Sequence, residues 1–408
     1  MKILYVSSAP SKTQFKLVQS QVKTKNINKI YGMPEASYKF HNLILDGLEK
    51  NNCEITSIVS RQISYKTHYK IIWRYSEERI NKIFYQHLFL INLPVLKQLI
   101  ACIGLFIVGI KWLIRNKSFE DKAIIIDGAY ISFLPVINLM TKIIKCKKNC
   151  IVADIYSYMA DVCDARKRKT FFHKIIRKYV KKHYQKIDSY IFLTNEMSKL
   201  DPFKNKRYMV MEGITSELKD RNENNVNKKE KYVMYAGALK KEYGIERLVK
   251  AFHKLKYEDI YLYLFGNGAY VDEIRKMEKI DSRIKYFGKK NIEEIIEYEK
   301  NAILLVNPRF TKDEFTKYSF PSKIIEYMSS GTPLLSSRLS GIPNEYYRYI
   351  FTIEGDDVDS LVQAFNKILK INKYKLNKIG HEAKKFIIEN KNNLIQTKRI
   401  LDFISNTK

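Results

Sequence analysis

The sequence predicts an α/β protein of two facing, doubly wound Rossmann-like domains with an interdomain cleft, and three observations carry that prediction. Short apolar runs of strand length alternate with helical patterns, as they do where a parallel sheet is covered on both faces. The alternation forms two series, separated by a polar Asn-, Lys- and Glu-rich run from Lys219 to Lys231 that packs poorly. At 408 residues the chain also exceeds what one hydrophobic core ordinarily serves. These features divide it into an N-terminal domain at 1–218, a linker region at 219–231, a C-terminal domain at 232–380 and a C-terminal helix at 381–408 packing back on the N-terminal domain.

The first series opens with a strand from Lys2 to Ser7, then a helix from Ala36 to Lys50 and a strand from Glu54 to Val59. The span from Val59 to Ala123 reads as a long helical region. After it come a strand at Ala123 to Ile126, a helix near Val136 to Ile144, a strand at Cys150 to Ala153, a helix at Phe171 to Gln185 and a strand at Ser189 to Leu193. In the second series strands start at Tyr232, Ile260, Ile284, Ile303 and Pro333, with helices from Ile245, Val271, Ile292 and Pro321 between them. Open α/β sheets bind ligands at the C-terminal ends of their strands, which is where functional residues are expected.

Composition narrows the partners. The 73 Lys+Arg against 43 Asp+Glu give a net charge of +30, which points to a polyanionic partner or surface, nucleic acid or anionic lipid, although a Lys/Asn/Ile-rich composition raises the count by itself. The start, Met1-Lys-Ile-Leu-Tyr-Val-Ser, has neither the apolar region nor the cleavage site of a signal peptide, so a cytoplasmic protein is expected. The five cysteines read as reduced thiols. The apolar stretch Leu99 to Ile110 is shorter than the about 20 residues that span a bilayer, and reads as a buried or interfacial helix.

The most informative segment runs from Asn307 to Pro333 and holds a short helix with Pro321 at its start and Gly331 just past its end. Lys323 and Glu326 share one face near the helix N-terminus, an end that already attracts phosphate. Glu326 is placed to accept hydrogen bonds from a ribose, although the same spacing also describes a solvated surface ion pair. Three glycine-containing stretches stand elsewhere in the second series: Tyr235-Ala-Gly237-Ala-Leu-Lys240-Lys241, Phe265-Gly266-Asn-Gly268 and Phe287-Gly288-Lys289.

With its Ser-Phe-Pro-Ser322-Lys323-x-x-Glu326-Tyr block and the following Gly-x-Pro, the chain resembles the GT-B glycosyltransferases, specifically their bacterial family 4-like (group 1) branch. The resemblance is ordered from about Tyr232 to Tyr346 and looser elsewhere. It implies that Glu326 holds the ribose of a nucleotide sugar, that Lys323, Ser322 and Arg309 meet its diphosphate, and that Gly237, Gly266, Gly288 and Lys289 line the donor site. Two basic positions of the family are Ala238 and Tyr243 here, which shifts phosphate charge onto Lys240, Lys241, Arg309 and Lys323. The family's paired glutamates are incomplete, because Tyr318 stands eight residues before Glu326, with Glu314 as a substitute from a longer loop. A UDP-sugar is the default donor.

In the first domain the strand Cys150-Ile-Val-Ala ends on Asp154, placed as general base for an acceptor hydroxyl or as the cap of the next helix; Asp127 is held in reserve. Asp357-Val-Asp359 reads as a helix cap and not a metal ligand, so no metal and no cofactor beyond the nucleotide sugar is expected. From Ala165 to Lys186 basic residues recur with an apolar stripe at helical spacing, namely Arg166, Lys167, Arg168, Lys169, Lys174, Arg177, Lys178, Lys181 and Lys182 among them. The stripe faces either the domain's own core or an anionic membrane. The expected activity is metal-independent transfer of a hexosyl group to a lipid-linked saccharide in surface polysaccharide (capsule) assembly. A nucleic-acid-binding protein and an inactive nucleotide-sugar-binding scaffold are the alternatives; no nucleic-acid-binding motif is present, so nucleic acid is not expected as a partner.

Overall fold

The computed structural model describes residues 1–23, 35–153, 171–216 and 230–406. The chain forms two compact units, one of Met1–Ser216 with Asn393–Lys408 and one of Glu217–Asn392. The linker expected at 219–231 falls almost wholly outside the described residues, and Lys231 already begins a strand.

The first unit is built on an eight-stranded sheet in the order Arg207–Val210, Ser189–Phe192, Lys147–Val152, Lys122–Asp127, Lys2–Ser7, Glu54–Val59, Ile83–His87 and Ser76–Ile80. All neighbours are parallel except the last pair. Its central strands are buried on both faces, so they read as continuous apolar runs such as Ile3 to Val6 and Ala123 to Ile126. The long helical region expected between Val59 and Ala123 is overturned in its first half: the strands Ile72–Trp73, Ser76–Ile80, Ile83–His87 and Leu90–Ile91 occupy it. The helix there is Leu96–Arg115, longer than the expected apolar stretch and apolar enough for a bilayer span by length and composition. One side of it is nevertheless built into the unit through Ala101, Leu105, Gly109, Trp112 and Leu113.

The second unit carries a six-stranded, all-parallel sheet in the order Ile284–Tyr286, Ile260–Asn267, Lys231–Ala238, Leu304–Asn307, Leu334–Ser337 and Phe351–Ile353. Asp357 caps the helix Val358–Leu369 by accepting from the Ser360 N–H at 2.7 Å, and Asp359 is ion-paired with Lys254 at 2.8 Å. The division expected after residue 380 falls inside one continuous helix, Lys373–Asn390. That helix packs so closely on the end of Ser322–Ser330 that a Cβ on Gly380 would lie 2.1 Å from the Gly331 carbonyl oxygen. Only the last helix, Asn393–Ser405, belongs to the first unit, where Asn51 Nδ2 donates to Leu394 O and Thr397 Oγ1, both at 2.9 Å, and Ile400 and Ile404 enter the core. The four described cysteines, Cys53, Cys102, Cys146 and Cys150, are unpaired; Cys163 lies outside the described residues.

Candidate functional site

Strand register assembles the second unit's site. Lys231–Ala238 and Ile260–Asn267 pair so that Gly237 stands opposite Gly266, and the Gly266 N–H donates to Gly288 O at 2.8 Å. Gly266 has φ 123°, and a Cβ there would lie 1.9 Å from the Gly237 oxygen. Only glycine lets these strand ends approach so closely. Beside them, a hollow of about 580 Å3 is bordered by Arg275, Glu278, Lys279, Tyr286, Phe287 and Gly288.

The helix Ser322–Ser330 delivers the charged pair to the same strand end. Ile324, Ile325 and Met328 are buried beneath it. Tyr327 locks the helix in place, its hydroxyl accepting from the Ala236 N–H at 2.9 Å and donating to Ala236 O at 3.1 Å. No side chain caps the helix N-terminus and no acidic residue occupies its first turn, with Pro321 at the cap position and Ser322 exposed. Lys323 Nζ lies 3.0 and 3.1 Å from the two Glu326 oxygens, and the pair is only about a quarter exposed, at 24% and 21%. A Cβ on Gly237 would stand 3.5 Å from Lys323 Cε, so the lysine stem crosses the first glycine turn.

Arg309 reaches the cluster from the turn after the strand Leu304–Asn307. Its guanidinium lies 4.6 Å from the centre of the Tyr243 ring. Its charge also acts on Tyr235, whose phenol burial pushes up to about 12 against the opposing pull of Arg309. The turn itself is held by Arg247, a buried residue that sequence reasoning did not single out. Arg247 donates to Pro308 O at 2.8 Å, Gly355 O at 2.9 Å and Ser337 Oγ at 2.9 Å, with Asp356 at 3.6 Å. Asp356 in turn accepts from the Thr311 N–H at 2.9 Å. A basic residue on the apolar face of Ile245-Glu-Arg-Leu was the available signal.

The remaining expected donor residues divide. Lys240 is exposed, its Nζ 6.0 Å from the Tyr243 ring, and Lys289 is exposed next to Gly288. Lys241 pairs instead with Glu246 at 3.2 Å and lies over the Tyr270 ring at 5.5 Å. Glu314 is exposed on the short turn Glu314–Lys317, and among the described residues no ion pair joins it to Lys323 or Arg309.

In the first unit Asp154 lies outside the described residues, as do Arg166, Lys167, Arg168 and Lys169 and the side chains of Lys174 and Arg177. Asp127 ends its strand as expected but does not face solvent: it is 3% exposed, with Oδ2 3.1 Å from His41 Nε2 and Oδ1 accepting from the Ala129 N–H at 3.0 Å. His41 Nδ1 is 2.6 Å from the Tyr5 hydroxyl, whose pKa is raised by burial and by Asp127. Each oxygen of the reserve carboxylate thus has one partner inside the unit. Lys178 and Lys182 are exposed on the helix Phe171–Tyr184, and Lys181 pairs with Asp201 at 2.5 Å.

The family model for glycosyl transferases group 1 matches residues 216–386, which contain the glycine turns, Arg309, Lys323 and Glu326. A search of curated proteins gives no match. Among solved structures, the chain is similar to sucrose-phosphate synthase from Thermosynechococcus elongatus, with a TM-score of 0.66 at 14% identity over 99% of this chain and 98% of that one. It is also similar to the lipopolysaccharide outer core galactosyltransferase WaaB, TM-score 0.59 at 14% identity over all of both chains. A third is Anabaena HepE in complex with UDP, TM-score 0.62 at 12% identity over 99% of this chain and 100% of that one. Residues 216–386 therefore resemble a group 1 glycosyl transferase domain, and the chain has the GT-B fold.

Proposed function

We propose that the protein transfers a hexosyl group from a UDP-sugar to a hydroxyl of a lipid-linked saccharide at the cytoplasmic face of a membrane, in surface polysaccharide assembly. The observation that carries the donor half is the Lys323–Glu326 pair lying across Gly237 at an uncapped helix N-terminus. Glu326 takes the ribose hydroxyls, and on binding Lys323 is released from the carboxylate to the diphosphate. Arg309 and the helix N–H groups complete the positive potential where the leaving group's charge develops. This assigns leaving-group stabilisation to protein groups, without a metal. Asp154, two residues beyond the strand Lys147–Val152, is assigned the proton of the acceptor hydroxyl.

For the acceptor half, support comes from WaaB, by its description a lipopolysaccharide outer core galactosyltransferase, and from the surface of the first unit. On the helix Leu96–Arg115, Leu99, Ile103, Ile107 and Ile114 recur along one side and are 46–59% exposed, with Lys111 and Arg115 exposed near them. An apolar stripe edged by cations fits an anionic bilayer surface. Lys178, Lys181 and Lys182 belong to the same proposed surface, and Arg166, Lys167, Arg168 and Lys169 precede them in sequence.

The test is transfer from a panel of nucleotide sugars to a polyprenyl-diphosphate-linked oligosaccharide in anionic vesicles, with soluble sugars as competing acceptors. A product on the lipid carrier, insensitive to chelator and lost in Asp154→Asn, is expected. Transfer only to soluble sugars contradicts the lipid acceptor. Turnover abolished by chelator and restored by manganese contradicts the metal-free reading, and near-normal turnover of Asp154→Asn removes that residue from the chemistry.

A further inference from the structure

The first unit has a hollow of about 500 Å3 beyond the C-terminal ends of Glu54–Val59 and Lys122–Asp127. Residues 60–64, Lys97, Gln98 and residues 129–132 line it. That lining contains two cations, Arg61 and Lys97, and no carboxylate.

Arg61 is 3% exposed, and among the described residues its hydrogen-bond partners are all neutral. Nη1 donates to Leu88 O at 2.9 Å, Nη2 to Gln14 Oε1 at 2.9 Å and Ser76 Oγ at 3.0 Å, and Nε to Gln14 Oε1 at 3.2 Å. Among the described residues no acidic group lies within ion-pair distance of it. Lys97 Nζ donates to the Ile63 carbonyl at 2.5 Å. Burial lowers both pKa values, Arg61 to about 10, the direction expected of cations short of counter-charge. The carboxylates of this region are engaged elsewhere: Glu78 holds Ser11 and Thr13, and Asp127 holds His41 and the Ala129 N–H. A guanidinium stays protonated, so its buried charge is a standing cost that an incoming anion would offset. The hydroxyls of Ser60, Ser64 and Ser132 and the amides of Gln62 and Gln98 on the same wall can donate to oxygens around such an anion.

We infer that this hollow binds a phosphate group of the acceptor, held by Lys97 and Arg61 at the strand ends of the first unit. The assignment to the acceptor rests on the proposed function; phosphate binding in the hollow does not. Its chemistry is shared by a water-soluble sugar phosphate and by a lipid phosphate, and the test separates them.

Glucose 6-phosphate, and polyprenyl phosphate in neutral nanodiscs, are titrated calorimetrically into the full chain, with glucose and empty nanodiscs as controls. Lys97→Gln, Arg61→Lys and the donor-site variant Lys323→Ala are run alongside. Saturable binding of at least one phosphate probe is expected, weakened about tenfold in Lys97→Gln and unchanged in Lys323→Ala. The probe that binds names the source, lipid or soluble. Binding of neither probe, equal affinity in Lys97→Gln, or a loss in Lys323→Ala overturns the inference. If Arg61→Lys fails to fold, Lys97→Gln alone decides. UDP titrated into the same proteins keeps the two readings apart, since phosphate binding by an unsubstituted chain that binds no UDP counts against the donor assignment and leaves this one standing.

Discussion

The two units handle charge in opposite ways. In the second, site cations have partners close at hand: Lys323 with Glu326, Lys241 with Glu246, Arg247 with Asp356, and Arg309 over Tyr243. The first buries Arg61 among neutral groups and hides its strand-end carboxylate, Asp127, against His41. Under the proposed function, the difference follows from what each surface has to recognise. A nucleoside diphosphate presents one fixed set of oxygens, which glycine turns and a helix N-terminus meet largely with backbone. An acceptor varies from enzyme to enzyme and has to be met by side chains gathered from separate loops.

The comparison can be broken unit by unit, because both tryptophans, Trp73 and Trp112, lie in the first unit. Fluorescence therefore follows that unit, while circular dichroism follows both. The largest effect is expected at Arg247. Arg247→Leu leaves the carbonyls of Pro308 and Gly355 without their donor and Asp356 without its guanidinium, and should cost about 3 kcal/mol in urea unfolding. The loss should appear in circular dichroism and leave the tryptophan transition in place. A shift of the tryptophan transition by the same amount would mean that the units do not unfold separately.

Next in size is the pH response of the first unit. Burial and Arg61 hold the His87 imidazole down at about 4, while an unfolded histidine titrates near 6.5. The folded state thus refuses a proton that the unfolded state accepts. Stability is full above pH 6.5, falls as the pH drops towards 4 and then levels, by about 3 kcal/mol in all. Urea midpoints followed by tryptophan fluorescence at several pH values test this, and a slope that survives His87→Gln would contradict it.

Two glycines sharpen the picture of the second unit. Gly266→Ala sets a Cβ 1.9 Å from the Gly237 oxygen and should cost about 3 kcal/mol, with nucleotide binding lost. Gly288→Ala meets nothing within 4 Å and should cost only about 1 kcal/mol, for a positive φ of 70°. Equal losses at both would show that close strand contact is not what selects glycine there. The smallest effect belongs to the membrane face: charge reversal at Lys178, Lys182 or Lys111 should weaken sedimentation with anionic vesicles by about 1 kcal/mol per site. Wild-type binding that is no stronger to anionic than to neutral vesicles would remove the proposed surface.

Legibility in the sequence follows the same division. Strands buried on both faces announced themselves, and Lys2–Ser7 and Glu54–Val59 coincide with their apolar runs. The hairpin of Ser76–Ile80 with Ile83–His87 did not, because it sits at the sheet edge, its first strand is Ser-Glu-Glu-Arg-Ile, and its turn uses Asn81 at φ 51° without a glycine. Lys323 and Glu326 were readable because one helical turn joins them. Arg247 and Arg61 were not, since the groups they hold come from elements far along the chain. His41 likewise meets Asp127 only once the sheet is assembled.

The most direct test is calorimetric titration of the protein and its Glu326→Ala variant with UDP, GDP, TDP, CMP and NAD. The account predicts saturable binding of one nucleoside diphosphate, weakened at least about tenfold in the variant while both units stay folded. Binding of NAD alone, or nucleotide affinity untouched by the loss of Glu326, would contradict the donor site described above.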